Sequence, residues 1–181
     1  INGWEVSEEL EQSKNNSISV MWFKNTLSKA IAEIDEMFAS YRISEAFMRI
    51  YKLFWDDFSG WYLEIVKPAY QQPIDKATME ATRSFFDSLM RLLHSFMPFV
   101  TEEIWQDLAP RAEGESIMYA PMPKAEEVNE ELLQRFALVM EAISGVRNIR
   151  KQKNIAQKQA LTLNYIADEN FPAEMASVIV K

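Results

Sequence analysis

Leu92-Leu93-His94-Ser95-Phe96-Met97-Pro98-Phe99-Val100-Thr101-Glu102-Glu103-Ile104-Trp105 is the stretch on which the reading of the fold turns. Leading into it, Met79, Thr82, Phe86, Leu89, Leu93 and Phe96 recur at steps of three and four, the spacing of one helix face. Asp75 is the cap candidate for that helix. Pro98 has no backbone N–H and should break or kink it. Thr101-Glu102-Glu103-Ile104 then reads as a restart, with Thr101 near the cap and acids in the first turn. The short helix it opens should finish near Leu108.

The same period continues outward in both directions. After a polar lead-in over residues 1–16, Ser17 is a cap candidate, and Val20, Phe23, Leu27, Ile31, Ile34 and Phe38 mark a first helix. Ser40-Tyr41-Arg42 reads as a break. Ser44 is a second cap candidate, followed by Phe47, Ile50, Phe54, Phe58, Trp61 and Ile65, and Pro68 ends that helix near Lys67. Downstream, Pro110, Gly114, Pro121 and Pro123 make residues 109–128 a loop, in which Ile117-Met118-Tyr119 is read as a short strand. A long helix follows from about Asn129 to Lys153, with Leu132, Phe136, Val139, Ile143 and Val146 on one side. Leu161 to Ala167 alternates like a half-buried strand, and the run to Val180 suggests a last, truncated helix.

The expected fold is therefore mostly all-α: a helical bundle over 17–108, a loop with a short strand over 109–128, and 129–181 carrying a long helix, a short strand and the final helix. The strand pair is expected as a small appendage after the third and fourth helices.

Composition narrows the function classes. Of 181 residues, 48% are hydrophobic and only four are glycine, which suits long helices with a core and argues against a phosphate-cradling glycine loop. There is no cysteine and one histidine, which excludes disulfides, thiolate metal sites and His-rich clusters and points to a reducing compartment. No apolar run is long enough to span a membrane, so no membrane association is expected. The opening Ile1-Asn2-Gly3-Trp4-Glu5 reads as the middle of a longer chain. A net charge of −8 argues against a generic nucleic-acid binder, so any RNA site has to be a local patch.

One such patch exists. No acidic residue occurs between Glu141 and Asp168, while Arg147, Arg150, Lys151, Lys153 and Lys158 do. Arg147, Arg150, Lys151 and Asn154 fall at i, i+3, i+4 and i+7, one helix face, which can follow a phosphate backbone or read base edges. A solvated helix C-terminus, where cations suit the dipole, is the competing reading. His94 lacks a nucleophile partner and is read as structural, bonded to a helix carbonyl. The pairs Asp56-Asp57 and Glu102-Glu103 point about 100° apart on a helix and suit capping or salt bridges rather than a metal. Trp55, Trp61, Tyr62 and Trp105 could stack on bases, but their helical spacing assigns them to the core. No acid–base or nucleophile constellation of a hydrolase is present.

Four segments, in order, resemble the anticodon-binding domain of class I aminoacyl-tRNA synthetases, most closely the valyl type of bacteria. They are Phe54-Trp55-Asp56-Asp57-Phe58 running on to Trp61-Tyr62-Leu63-Glu64 and Lys67-Pro68; the stretch from Leu92 to Trp105; Glu115-Ser116-Ile117-Met118; and Val146-Arg147-Asn148-Ile149-Arg150 with Asn154-Ile155. The second segment is shared with isoleucyl and leucyl enzymes, and isoleucyl enzymes are the nearest rival. The sequence departs from the pattern at Ser95, Ser59-Gly60, Met122 and Ala156-Gln157. The class I catalytic signatures do not occur.

The resemblance implies a parent ligase that uses ATP with magnesium to attach valine to its tRNA in the cytoplasm. This domain would carry no cofactor and no catalytic residue, and would sit with catalytic and editing domains on one chain. It also implies an earlier helix that completes the anticodon platform. The partner would be the anticodon stem-loop of tRNA, touched by Arg147, Asn148, Arg150, Lys151, Lys153 and Asn154. A helical module serving only structure or protein contacts is the alternative of a different class.

Overall fold

The computed structural model describes residues 3–156, 159–162 and 175–179. The chain divides into two units, Ile1–Val128 and Asn129–Lys181.

In the first unit, strand β1 (Val6–Ser7) is followed by helix α1 (Lys14–Ala39). Next come α2 (Ile43–Lys52), a π-helical segment (Leu53–Tyr62) and the single turn α3 (Leu63–Val66). Strand β2 (Ile74–Asp75) leads straight into α4 (Lys76–His94), and α5 (Pro98–Leu108) follows. A 3-10 turn (Ile117–Tyr119) closes the series. Helix α1 packs on α2, the π segment, α3 and α4, while α4 packs on α5. The mostly helical bundle expected from the apolar periodicity is therefore the fold. Its predicted face positions Phe23, Leu27, Ile31, Ile34, Ile50, Phe58, Ile65, Met79, Leu89 and Leu93 are all buried.

Sequence rules placed several boundaries well. Asp75 caps α4, its carboxylate accepting from the Thr78 N–H, and Lys67 ends the helix before Pro68. The break at Ser40-Tyr41-Arg42 is real: Tyr41 takes φ 58°, and the Tyr41 and Arg42 amides donate back to the carbonyls of Phe38 and Met37. This is the left-handed turn that ends many helices.

Several expectations are corrected. The cap of α1 is Ser13, which accepts from the Asn16 N–H, and Ser17 lies within the first turn. A cap here also brings Asn16 Nδ2 onto the Asp75 carboxylate at 2.9 Å, tying the starts of α1 and α4 together. Ser44 caps nothing, because α2 starts one residue earlier behind Arg42. Thr101 is inside α5, which begins at Pro98 as its first residue, where the missing N–H costs no helical bond. Thr101 instead donates to Met97 O at 2.8 Å and meets His94 Nδ1 at 2.8 Å, so the histidine is structural but bonded to a hydroxyl, not a carbonyl.

Finally, Ile117-Met118-Tyr119 is a 3-10 turn and not a strand. Its amides all have partners: Ile117 N donates to the Glu102 carboxylate at 3.2 Å, Met118 N to Ser116 Oγ at 3.1 Å and Tyr119 N to Ser116 O at 3.1 Å. None is left for a neighbouring strand. The small sheet lies elsewhere, as a parallel pairing of Val6 with Ile74 and Ser7 with Asp75. Of the proposed strand 161–167, only Leu161 and Thr162 lie among the described residues, and neither is in a strand there.

The π segment was not anticipated. Leu63 N–H donates to Phe58 O, a five-residue step, and burial also steps by five, from Leu53 to Phe58. Leu53 rather than Phe54 thus fills the core there.

Asp75 is 2% exposed and serves both Thr78 N and Asn16 Nδ2. Its loss removes an N-cap and strands one buried and one half-buried donor, so Asp75→Ala should destabilise the first unit by about 2–3 kcal/mol. Urea unfolding should show a lower midpoint with an unchanged slope, whereas an unmoved midpoint would mean that the cap contributes nothing.

Candidate nucleic-acid interface

Helix α6 (Glu130–Gln152) is the long element of the second unit, followed by α7 (Ala176–Ile179). The Asn129 side chain caps it, accepting from Leu132 N at 2.9 Å. Glu130 and Glu131 lie in its first turn, and Arg150 and Lys151 in its last. This charge order matches the helix dipole and helps explain why so acidic a protein carries a cationic end here. Phe136 and Val139 are buried, as are Met175 and Val178 beyond it.

The end of α6 is built by a specific turn. Lys153 N donates to Ile149 O, Asn154 N to Lys151 O and Ile155 N to Arg150 O. Asn154 takes φ 51°. The last two bonds with a left-handed residue make the Schellman arrangement, and asparagine tolerates that conformation better than most residues. Arg150 reinforces the turn: one terminal nitrogen donates to Ala156 O and the other to Gln159 O, both at 2.9 Å.

The structure brings all six predicted site residues to this end, but in four roles. Arg147, Asn148 and Lys151 are exposed on the last turns of the helix, and Arg147 and Lys151 share a face four residues apart. Lys153 is the exposed C-cap. Asn154 has left the helix, so the seven-residue step does not continue the face: the reversal at its positive φ turns the chain away. Arg150 is half-buried with its guanidinium committed to the turn. Periodicity misses this fork, because its partners lie six and nine residues downstream; the Asn at the helix end was the one available signal. Lys158 lies outside the described residues.

Other candidates fall into structural roles. Glu102 accepts from Gln106 Nε2, Ser116 Oγ and Ile117 N, and these bonds, Gln106 first, hold its carboxyl below its usual range. Burial raises the Asp57 carboxyl, opposed by Arg49, whose guanidinium stands 3.7 Å away. Tyr62 and Trp105 are buried as expected and Trp61 is half-buried. Trp55 is not core: it is 60% exposed and stacks on Tyr51 at 6.5 Å, since the π segment shifts the buried step to Leu53. Lys52 precedes Trp55, and Asp56 and Asp57 follow it, so the stack sits in no cationic stripe that an RNA backbone could follow. Among the described residues no cluster of three or more acidic or histidine side chains could hold a metal ion.

A family described as the anticodon-binding domain of tRNA ligase matches residues 21–165. The chain belongs to that family. Among relatives of this anticodon-binding domain, the valine–tRNA ligase of Parabacteroides distasonis is 56% identical over 94% of the chain and 20% of its own length. That of Porphyromonas gingivalis is 47% identical over 100% of the chain and 20% of its own length. That of Geobacillus stearothermophilus is 37% identical over 86% and 18%. The chain thus spans about a fifth of the length of the curated relatives it matches. All three are valyl enzymes, which favours that resemblance over the isoleucyl one.

In this anticodon-binding domain the left-handed turn should tolerate glycine and reject branching at Asn154. Asn154→Gly should change stability by less than about 0.5 kcal/mol, and Asn154→Val should cost about 1–2 kcal/mol. Denaturant titration monitored over α6 checks both, and equal stability of the two variants would contradict the turn.

Proposed function

We propose that the chain is the anticodon-binding domain of a valine–tRNA ligase, and that the cationic end of α6 meets the anticodon stem-loop of tRNA. The family match carries the first part. The acid-free interval with Arg147, Lys151 and Lys153 exposed at one helix end carries the second. Arg147 and Lys151 would neutralise successive phosphates, Lys153 a third, while the amides of Asn148 and Asn154 can pair with base edges or ribose hydroxyls.

On this reading the parent enzyme activates valine with ATP and transfers it to the tRNA terminus, with magnesium on the nucleotide. Those steps, and any editing, belong to other domains of the longer chain. The task here is positional. Gripping the far arm of the tRNA brings the acceptor end to the catalytic pocket, and an acidic surface elsewhere discourages misplaced RNA. A reducing cytoplasm suits a chain without cysteine, and among the described residues no helix is long and apolar enough to cross a membrane.

One observation favours an additional scaffold role. Ile43, Phe47, Met48, Phe96 and Met97 line an open apolar cleft of about 450 Å³ in the first unit. Met48 is 59% exposed there, and such a surface suits contact with protein rather than RNA.

In the full-length enzyme, Arg147→Ala and Lys151→Ala should each weaken valine-tRNA binding by about 1–2 kcal/mol. Each should also reduce the slope of log affinity against log salt by roughly 0.7–1. A salt series that leaves affinity and slope unchanged in both variants would remove α6 from the interface.

A further inference from the structure

The six residues brought together at the end of α6 are not equivalent, and Arg150 differs most. It sits in the last turn of the helix, in register with Arg147 and beside Lys151, so the sequence presents it as a third phosphate ligand. Its guanidinium is nevertheless turned onto the chain that follows. The two terminal nitrogens reach Ala156 O and Gln159 O, each at 2.9 Å, and the backbone carbonyl of Arg150 itself accepts from Ile155 N. One residue therefore closes the turn from both of its ends. Gln159 N also donates to Ala156 O, so the two carbonyls that the fork grips belong to one local bend.

We infer that Arg150 is a positioning residue: its planar fork fixes the turn after α6, and through it the placement of Lys153 and Asn154 toward the anticodon loop, without binding RNA itself. This deepens the reading that the end of α6 is the tRNA interface and rests on it. The physical requirement is specific. Two carbonyls held at once by one side chain are matched by two donors in a rigid plane, which a guanidinium supplies and an ammonium, a point charge on a flexible stem, does not. Without the fork, the turn keeps only its backbone bonds. Asn154 then samples other orientations, and the ordering lost in the free protein has to be restored on binding. Charge at position 150 is thus secondary and hydrogen-bond geometry is primary, the reverse of Arg147 and Lys151.

The test compares Arg150→Lys and Arg150→Ala with Arg147→Lys, Arg147→Ala and Lys151→Ala in the full-length enzyme. Probes are a valine-tRNA transcript and the same transcript with one changed anticodon base. Arg150→Lys and Arg150→Ala should both bind the native transcript about tenfold more weakly, the size of one lost charge-assisted bond network. Both should lose part of the preference for the native anticodon, and both should keep the wild-type salt slope. Arg147→Lys should keep affinity and slope. Hydrogen exchange should quicken at Ile155 in both Arg150 variants while the middle of α6 stays protected, which separates a loosened turn from general unfolding.

Native-like binding by Arg150→Lys, with a flattened slope in Arg150→Ala, would make Arg150 a direct phosphate ligand and overturn the inference. So would wild-type affinity in both variants, or weaker binding with anticodon preference intact. If instead Arg147→Ala and Lys151→Ala leave affinity and slope untouched, the interface itself is wrong, whatever Arg150 does.

Discussion

The first unit is organised around one aromatic cluster. The Phe23 ring of α1 lies 5.2 Å from Phe58, 5.0 Å from Tyr62 and 5.0 Å from Phe85, and Tyr62 meets Phe85 at 5.4 Å. Three elements, α1, the π segment and α4, thereby share one knot of rings in the tilted and edge-on arrangements that such pairs prefer. Tyr62 brings the knot a polar requirement: its hydroxyl pairs with Thr82 Oγ1 at 2.7 Å, and Thr82 donates onward to Thr78 O. Burial drives the Tyr62 phenol well above its ordinary range, so it stays neutral. A sliding helix would break the ring packing and orphan a buried hydroxyl together, which is why the register of α4 against the π segment is specified so firmly.

The π segment follows from the same constraint. Phe58 and Tyr62 both belong to the knot, while Leu53 packs five residues before Phe58. A five-residue step cannot be met on one face of a regular α-helix, and widening the turn meets it. Its consequence appears on the opposite surface, where Tyr51 and Trp55 are left stacked in the open.

Most of the fold was legible because helix periodicity reports burial directly. Phe23, Ile34, Ile50 and Leu89 could be assigned to the core from spacing alone, and Asp75 to the cap of α4 from its chemistry. Errors arose where a side chain, rather than periodicity, decided. Ser13 wins over Ser17 because the start of α1 is tied to β2 through Asn16 and Asp75. Ile117 to Tyr119 looked like a strand because its apolar content is high, yet Glu102, fifteen residues earlier in the chain, holds the Ile117 amide. The candidate interface was legible as charge: an interval without acids is visible in any sequence. Its division of labour was not, since the Arg150 fork depends on a turn whose closure is set by Asn154 and by carbonyls further along.

The central claim is that the end of α6 touches the anticodon arm, and proximity tests it most directly. A photo-crosslinking side chain at Ile149, 55% exposed between Arg147 and Lys151, should be placed in the full-length enzyme with labelled valine tRNA. The same group at Tyr119, 78% exposed in the first unit, is the comparison. The account predicts adducts from position 149 that map to the anticodon stem-loop and disappear with excess unlabelled tRNA. Adducts absent from position 149, while other positions of the same enzyme crosslink the anticodon, would contradict it.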